Sequence, residues 1–210
     1  IAKQEHILLG ERYKSTTSVR TLWPMVKLEE VCQLNPKKSE LKVPQDLEVS
    51  FVPMANLNER RMTFKPTATR AISSVYTGYT YFAENDVLLA KVTPCFENGK
   101  SGVAKNLVNG IGFGSSEFFV LRADTNRVLP EYIYLMISTD KFLKAGKQIM
   151  TGAVGLQRIS KEFVSGYEIP LPPLSVQKDI VAEIAEYQVV IDGAQKVTDN
   201  YRPIIHIDAS

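Results

Sequence analysis

The run Pro170-Leu171-Pro172-Pro173 divides this 210-residue chain into two physically different parts. Three prolines in four positions can neither continue a helix nor sit inside a sheet, so the preceding structure must stop there. Beyond them Val176, Ile180, Ile184, Tyr187, Ile191, Ala194, Thr198 and Tyr201 recur at steps of three and four, the spacing of one helix face. A helix of about 26 residues is about 39 Å long. That exceeds what a domain of this size needs for its own core, so the seam of Ile180, Ile184, Tyr187, Ile191, Ala194 and Tyr201 is expected to meet a partner helix. Packing wholly on its own domain is the alternative. Ser175 is the expected N-cap.

The chain as a whole has the composition of a folded protein. Hydrophobic residues make up 44% and charged residues 23%, which excludes disordered and collagen-like classes. No apolar run approaches the roughly 20 residues of a membrane span, and no secretory signal opens the chain, so the cytoplasm is the expected location. Cys32 and Cys95 are too few for a disulfide framework. Together with the distant His6 and His206 they lack the spacing of a zinc site, so neither metal nor cofactor is expected in this chain. Residues 175–210 carry a net charge of −3, which leaves +5 on residues 1–174. A basic body with an acidic helical tail suits a polyanion on one side and a protein on the other.

Strand formers dominate the first half and helical patterns flank them, so the expected fold class is α+β, a mixed or antiparallel β-rich domain with flanking helices and a long C-terminal helix. Leu28 to Leu34 reads as a short helix stopped by Asn35-Pro36. Strands are expected at Val49–Met54, in an extended pair at Tyr76–Phe82 and Val87–Val92, at Gly102–Ala104 and at Glu117–Arg122. Pro130 suits a first helical turn, and Tyr132 to Leu143 carries a helical face ending near Gly146. Gly110-Ile111-Gly112-Phe113-Gly114 lacks the strand-before, helix-after context of a nucleotide loop, and is expected to shape a turn or bulge.

Contact chemistry is concentrated in three basic, polar segments. The first holds Arg60, Arg61, Lys65 and Arg70. The second follows the apolar Val87–Ala90 and holds Lys91, Thr93, Glu97, Asn98, Lys100 and Lys105; the third holds Gln157, Arg158 and Lys161. Lysine and arginine neutralise phosphates, while Asn and Gln match adenine, Arg matches guanine and Glu accepts from cytosine in a DNA major groove. Solvated hairpin tips have similar compositions, so the segments gain meaning from their company.

That company is a family pattern. Gly152-Ala153-Val154-Gly155-Leu156-Gln157-Arg158-Ile159-Ser160, Ile169 to Gln177, the opening Trp23-Pro24-Met25-Val26-Lys27-Leu28-Glu29-Glu30-Val31-Cys32 and Gly114-Ser115-Ser116-Glu117-Phe118 together resemble the specificity (S) subunits of type I restriction-modification systems. The resemblance covers residues 23 to 200, with Gly114–Phe118 similar to the family's central strand. It implies a linker or tail from a preceding domain at 1–22, a DNA target recognition domain at 23–174, a spacer helix at 175–202, and the start of a linker to a second half at 203–210. It also implies a bacterial or archaeal source and double-stranded DNA as ligand. The implied partner is an adenine methyltransferase domain or subunit that uses S-adenosylmethionine, with a second recognition domain or self-association as a further partner. Leu9-Gly10-Glu11-Arg12-Tyr13 resembles the segment after the methyltransferase in fused members, and Asn200-Tyr201-Arg202-Pro203 the point where a second domain begins.

No Ser, His and Asp set, Walker loop or acidic metal cluster appears, and Asn35-Pro36-Lys37-Lys38 lacks the aromatic that a base-flipping methyltransferase motif needs. The chain itself is therefore expected to be non-catalytic. A module that binds an acidic protein partner, or inhibits one, is the alternative function.

Overall fold

The apolar runs at Val87, Ile111 and Phe118 become the central strands of two four-stranded sheets in the computed structural model, which describes residues 23–153 and 155–201. In chain order the elements are β1 (Met25–Lys27), α1 (Leu28–Val31), β2 (Cys32–Leu34), β3 (Glu48–Val52), β4 (Ala68–Ala71), α2 (Ile72–Val75), β5 (Thr80–Ala83), β6 (Val87–Ala90), β7 (Ser101–Val103) and β8 (Ile111–Gly114). They continue with β9 (Phe118–Ala123), α3 (Pro130–Ile137), α4 (Asp140–Ile149), α5 (Lys161–Gly166), β10 (Glu168–Pro170) and α6 (Leu174–Asn200).

The first sheet, β2-β9-β6-β7, is antiparallel throughout. The second, β4-β3-β8-β5, is mixed because β3 and β8 run parallel. A separate antiparallel pair, β1 with β10, closes the domain and ends on the first of the prolines, Pro170, opposite Met25. Side chains of β6 and β9 alternate between two cores: Val87, Leu89, Phe119 and Leu121 face the helices, while Leu88, Phe118 and Val120 face the second sheet. Strands covered on both faces read as unbroken apolar runs, which is what Val87-Leu88-Leu89-Ala90 is. A third cluster, with Val49, Phe51 and Phe113, packs under α2. The fold is α+β, as its sequence pattern leads one to expect.

Several local expectations fail for identifiable reasons. The helix at Leu28 lasts one turn, because Cys32–Leu34 is taken by pairing with Leu121–Ala123 of β9. Asn35, at φ 53°, closes that pairing: its N–H donates to the Val120 carbonyl at 2.7 Å and its Oδ1 accepts from the Val120 N–H at 3.0 Å. The segments at Tyr76–Phe82 and Val87–Val92 shorten to β5 and β6, which enter different sheets. Gly110–Gly114 is neither turn nor bulge over most of its length: Ile111–Gly114 is an interior strand. A Cβ at Gly112 would stand 2.1 Å from the Phe82 ring, so the glycine makes room for a buried aromatic. The residues likened to a central strand, Ser115 to Glu117, instead form the turn that carries the chain from β8 to β9. One helix over Tyr132–Leu143 becomes two, since Thr139 Oγ1 accepts from the Phe142 N–H at 3.3 Å and starts α4 afresh.

The final helix is rooted by one side chain. Gln177 is fully buried; its Oε1 accepts from the Leu129 N–H at 2.9 Å, and its Nε2 donates to the carbonyls of Arg127 and Pro172 at 2.9 Å each. The Tyr132 hydroxyl donates to the Pro170 carbonyl at 2.9 Å beside it. Pro173, in extended backbone, occupies the N-cap position and the helix begins at Leu174, so Ser175 lies two residues too late to cap it.

Candidate nucleic-acid interface

Three loop segments meet at one end of the first sheet, and Lys91 is the strip that joins them. Its N–H donates to the Glu117 carbonyl at 3.0 Å and its own carbonyl accepts from Ile159 at 3.0 Å. Two residues on, the Thr93 N–H donates to the Gln157 carbonyl at 2.9 Å. The second and third basic segments are thereby brought together. The first runs alongside the second: the Arg60 N–H donates to the Gly99 carbonyl at 3.1 Å, and the Val103 N–H donates to the Met62 carbonyl at 2.8 Å. Gly99 (φ 75°), Gly152 (φ 128°) and Gly155 (φ 80°) supply the left-handed turns that such tight loops require.

The individual side chains differ in what they have free. Gln157 is half-buried, and among the described residues its side-chain amide has no hydrogen-bond partner. Arg158 is bound side-on to Glu117, Nε to Oε2 at 2.8 Å and Nη2 to Oε1 at 2.8 Å. This hydrogen bonding holds the Glu117 carboxyl below its ordinary range, with Lys91 adding to the effect, and raises Arg158. Lys91 reaches over the Phe119 ring at 5.4 Å, and Lys100 has no ion-pair partner among the described residues. Asn98 is exposed and donates to Glu59 at 2.8 Å. Glu97 folds inward: its Oε1 accepts from the Thr93 hydroxyl at 3.2 Å, and its Oε2 is buried without a hydrogen-bond partner among the described residues. Glu97 and Thr93 therefore shape the loop from within.

Other candidates are spread more widely. Lys105 pairs with Glu131 of α3 at 2.9 Å, on the far side of β7. Arg60 pairs with Asp140 at 2.8 Å and Arg61 with Asp192 of α6. Arg70 lies on the edge strand β4 with its guanidinium 3.8 Å from the Phe51 ring centre. Lys65 and Lys161 are exposed, the latter opening α5.

A cleft of about 500 Å³ beside the loop cluster is lined by Lys37, Lys38, Tyr76, Tyr79, Tyr81 and Lys91. The Lys38 ammonium stands 5.0 Å from the centre of the Tyr76 ring. Lys38 and Tyr76, 38 residues apart in sequence, meet here, and no local spacing in the sequence links the Lys37-Lys38 pair to these tyrosines.

On α6, Ile180 and Val181 pack against the main core, and the helix then emerges. Ile184, Tyr187, Ile191, Ala194 and Tyr201 are exposed, as are Val189, Val190 and Val197, which the helical seam omitted. No group of three metal-ligating side chains occurs among the described residues, and none of their helices is long and apolar enough to cross a membrane. Burial pushes the Cys32 thiol up to about 12. His6, His206, Leu9–Tyr13, Arg202-Pro203 and the proposed flanking segments at 1–22 and 203–210 lie outside the described residues.

Comparison with known proteins places this arrangement. The chain is 34% identical over 197 residues to the type I restriction enzyme EcoEI specificity subunit of Escherichia coli, covering 93% of this chain and 33% of that protein. It is 33% identical over 175 residues to the EcoAI specificity subunit of the same species, covering 83% and 29%. It thus spans about a third of the length of the curated relatives it matches. Among solved structures, the HsdS subunit from Thermoanaerobacter tengcongensis superposes with a TM-score of 0.65 at 18% identity, over 83% of this chain and 44% of that one. The type I restriction-modification S subunit from M. genitalium gives 0.51 at 11% identity, over 88% and 44%. These two establish likeness of fold. Residues 21–191 match the family model described as the type I restriction modification DNA specificity domain, and the chain belongs to that family.

Proposed function

We propose that this chain recognises a short sequence of double-stranded DNA for a restriction-modification system, reading part of a split site and positioning an adenine methyltransferase and endonuclease. The observation that carries the reading is the joining of the Lys91, Glu117 and Gln157-Arg158 segments into one loop face by backbone hydrogen bonds. Lys91 and Lys100, with Lys37 and Lys38 of the neighbouring cleft, would neutralise phosphates and set register, while Gln157, Arg158 and Asn98 would meet base edges. Glu97, Thr93, Arg60, Arg61, Lys65, Arg70, Lys105 and Lys161 are secondary candidates, several of them engaged in contacts within the domain.

The helix α6 would serve as spacer and docking surface. Its exposed apolar face suits a helix of the methyltransferase assembly or of a second recognition domain. The methyltransferase would use S-adenosylmethionine and supply all chemistry; the role of this chain is binding and orientation.

Selection of bound sequences from a random duplex library, with the intact protein that carries this chain, tests the reading. A recurring half-site of about three to five base pairs is expected. Replacing Lys91 and Lys100 by Glu should weaken binding to every sequence alike and lower the salt slope by about one for each phosphate no longer neutralised. A library with no enrichment at low salt would refute DNA recognition.

A further inference from the structure

We infer that Glu117 positions Arg158 to read one guanine in the major groove, an assignment that rests on the DNA-recognition reading above. A guanidinium has two edges able to donate paired hydrogen bonds. The side edge of Arg158 is occupied by Glu117, through Nε and Nη2 at 2.8 Å each. Nη1 has no partner among the described residues, and the side chain is 41% exposed. The end edge therefore still offers two parallel N–H donors, the complement of guanine O6 and N7.

Both members of the pair are fixed before any ligand arrives. Glu117 and Ile159 are hydrogen-bonded through their backbones to Lys91, and Arg158 exchanges two backbone bonds with Thr151, at 3.1 and 2.8 Å. The Glu117 N–H also donates to Ser115 Oγ at 3.2 Å. A guanidinium held this way loses little rotamer freedom on binding, so its geometry discriminates strongly.

Charge decides which ligand the free edge favours. The ion pair is neutral as a unit and places a carboxylate beside the fork, so a phosphate gains little from it. Guanine presents two neutral acceptors at the spacing of the fork. Adenine and cytosine each present an amino donor in the groove, and thymine a single acceptor, so none satisfies both N–H groups. The other side-on arginine pair among the described residues, Arg122 with Asp86 at 2.9 and 2.7 Å, differs in kind. Asp86 is 2% exposed and also accepts from the Ala83 N–H, so that pair braces the sheet.

The test repeats the library selection with the intact wild-type protein and with E117Q and R158A, each checked for native circular dichroism. Wild type is expected to require guanine at one position of its half-site, and 7-deazaguanine there should lower affinity by about tenfold. E117Q keeps the shape and removes the charge; it should relax that position alone by about tenfold and remove the sensitivity to 7-deazaguanine, with R158A relaxing the same position. A half-site without a required guanine, or an unaltered preference in E117Q, overturns the assignment. Uniform weakening at all sequences also overturns it, since that marks a phosphate contact. A wild-type protein that selects a sequence while failing these expectations leaves DNA recognition standing, whereas a wild type that selects nothing removes the reading beneath it.

Discussion

Replacing Gln177 by Leu should loosen the root of α6 at a cost that can be worked from three hydrogen bonds. The substitution nearly conserves volume, so it removes the amide without opening a large cavity. It leaves the Pro172 carbonyl without a partner in a buried site, and the Leu129 N–H and Arg127 carbonyl without one in partly buried sites. A sealed unsatisfied group costs about 1–3 kcal/mol, and the two wetter groups recover part of theirs from water, so the expected loss is about 3 kcal/mol. For a domain of this size that lowers Tm by about 6–12 °C. Thermal unfolding followed by circular dichroism measures it, and urea titration should show a lower midpoint with an unchanged slope. Gln177→Glu keeps the acceptor for Leu129 but loses both donations and buries a charge, so it should be worse than Leu. A Leu variant melting within about 2 °C of wild type would refute the claim that this side chain holds the helix.

The same geometry sets further outcomes. Gly112→Ala drives a methyl group into the buried Phe82 ring and should cost about 2–3 kcal/mol in urea denaturation, the upper range for overpacking. Replacing Ile184 and Ile191 by Asp, at 40% and 56% exposure, should change stability by about 0.5 kcal/mol or less per site while abolishing helix-mediated assembly; unchanged sedimentation would remove the partner-helix role. Because Arg158 depresses the Glu117 carboxyl below its ordinary 4.5, that contribution to stability is fully present above pH 4.5 and is lost as pH falls through the folded-state value. The difference in Tm between wild type and E117Q should therefore be constant from neutral pH down to 4.5 and shrink in stronger acid.

Features encoded by neighbours in sequence were legible and those encoded by distant partners were not. The periodicity from Val176 onward gives α6 almost end to end, because a helix writes its exposed and buried faces into local spacing. Val87–Ala90 and Phe118–Arg122 were recognisable as strands from composition alone, yet nothing local says that β5 and β6 part into different sheets. Gly110–Gly114 misled because its glycines answer to Phe82 and the Val52 carbonyl, residues far away in sequence. In the same way Arg158 was recognisable as a donor, while Glu117, 41 residues earlier, could be read only as part of a strand-like run. Lys105, Arg60 and Arg61 looked like free cations until the fold supplied Glu131, Asp140 and Asp192.

Strand β9 is six residues long, about 20 Å. Glu117 and the loop face stand at its beginning, and the chain leaving its other end supplies Arg127 and Leu129, the socket for Gln177. The proposed reading face and the socket of the last helix thus stand at opposite ends of one strand. If the loops read DNA as proposed, exchanging them would change the target while leaving the root of α6, and so the direction in which the helix points, untouched.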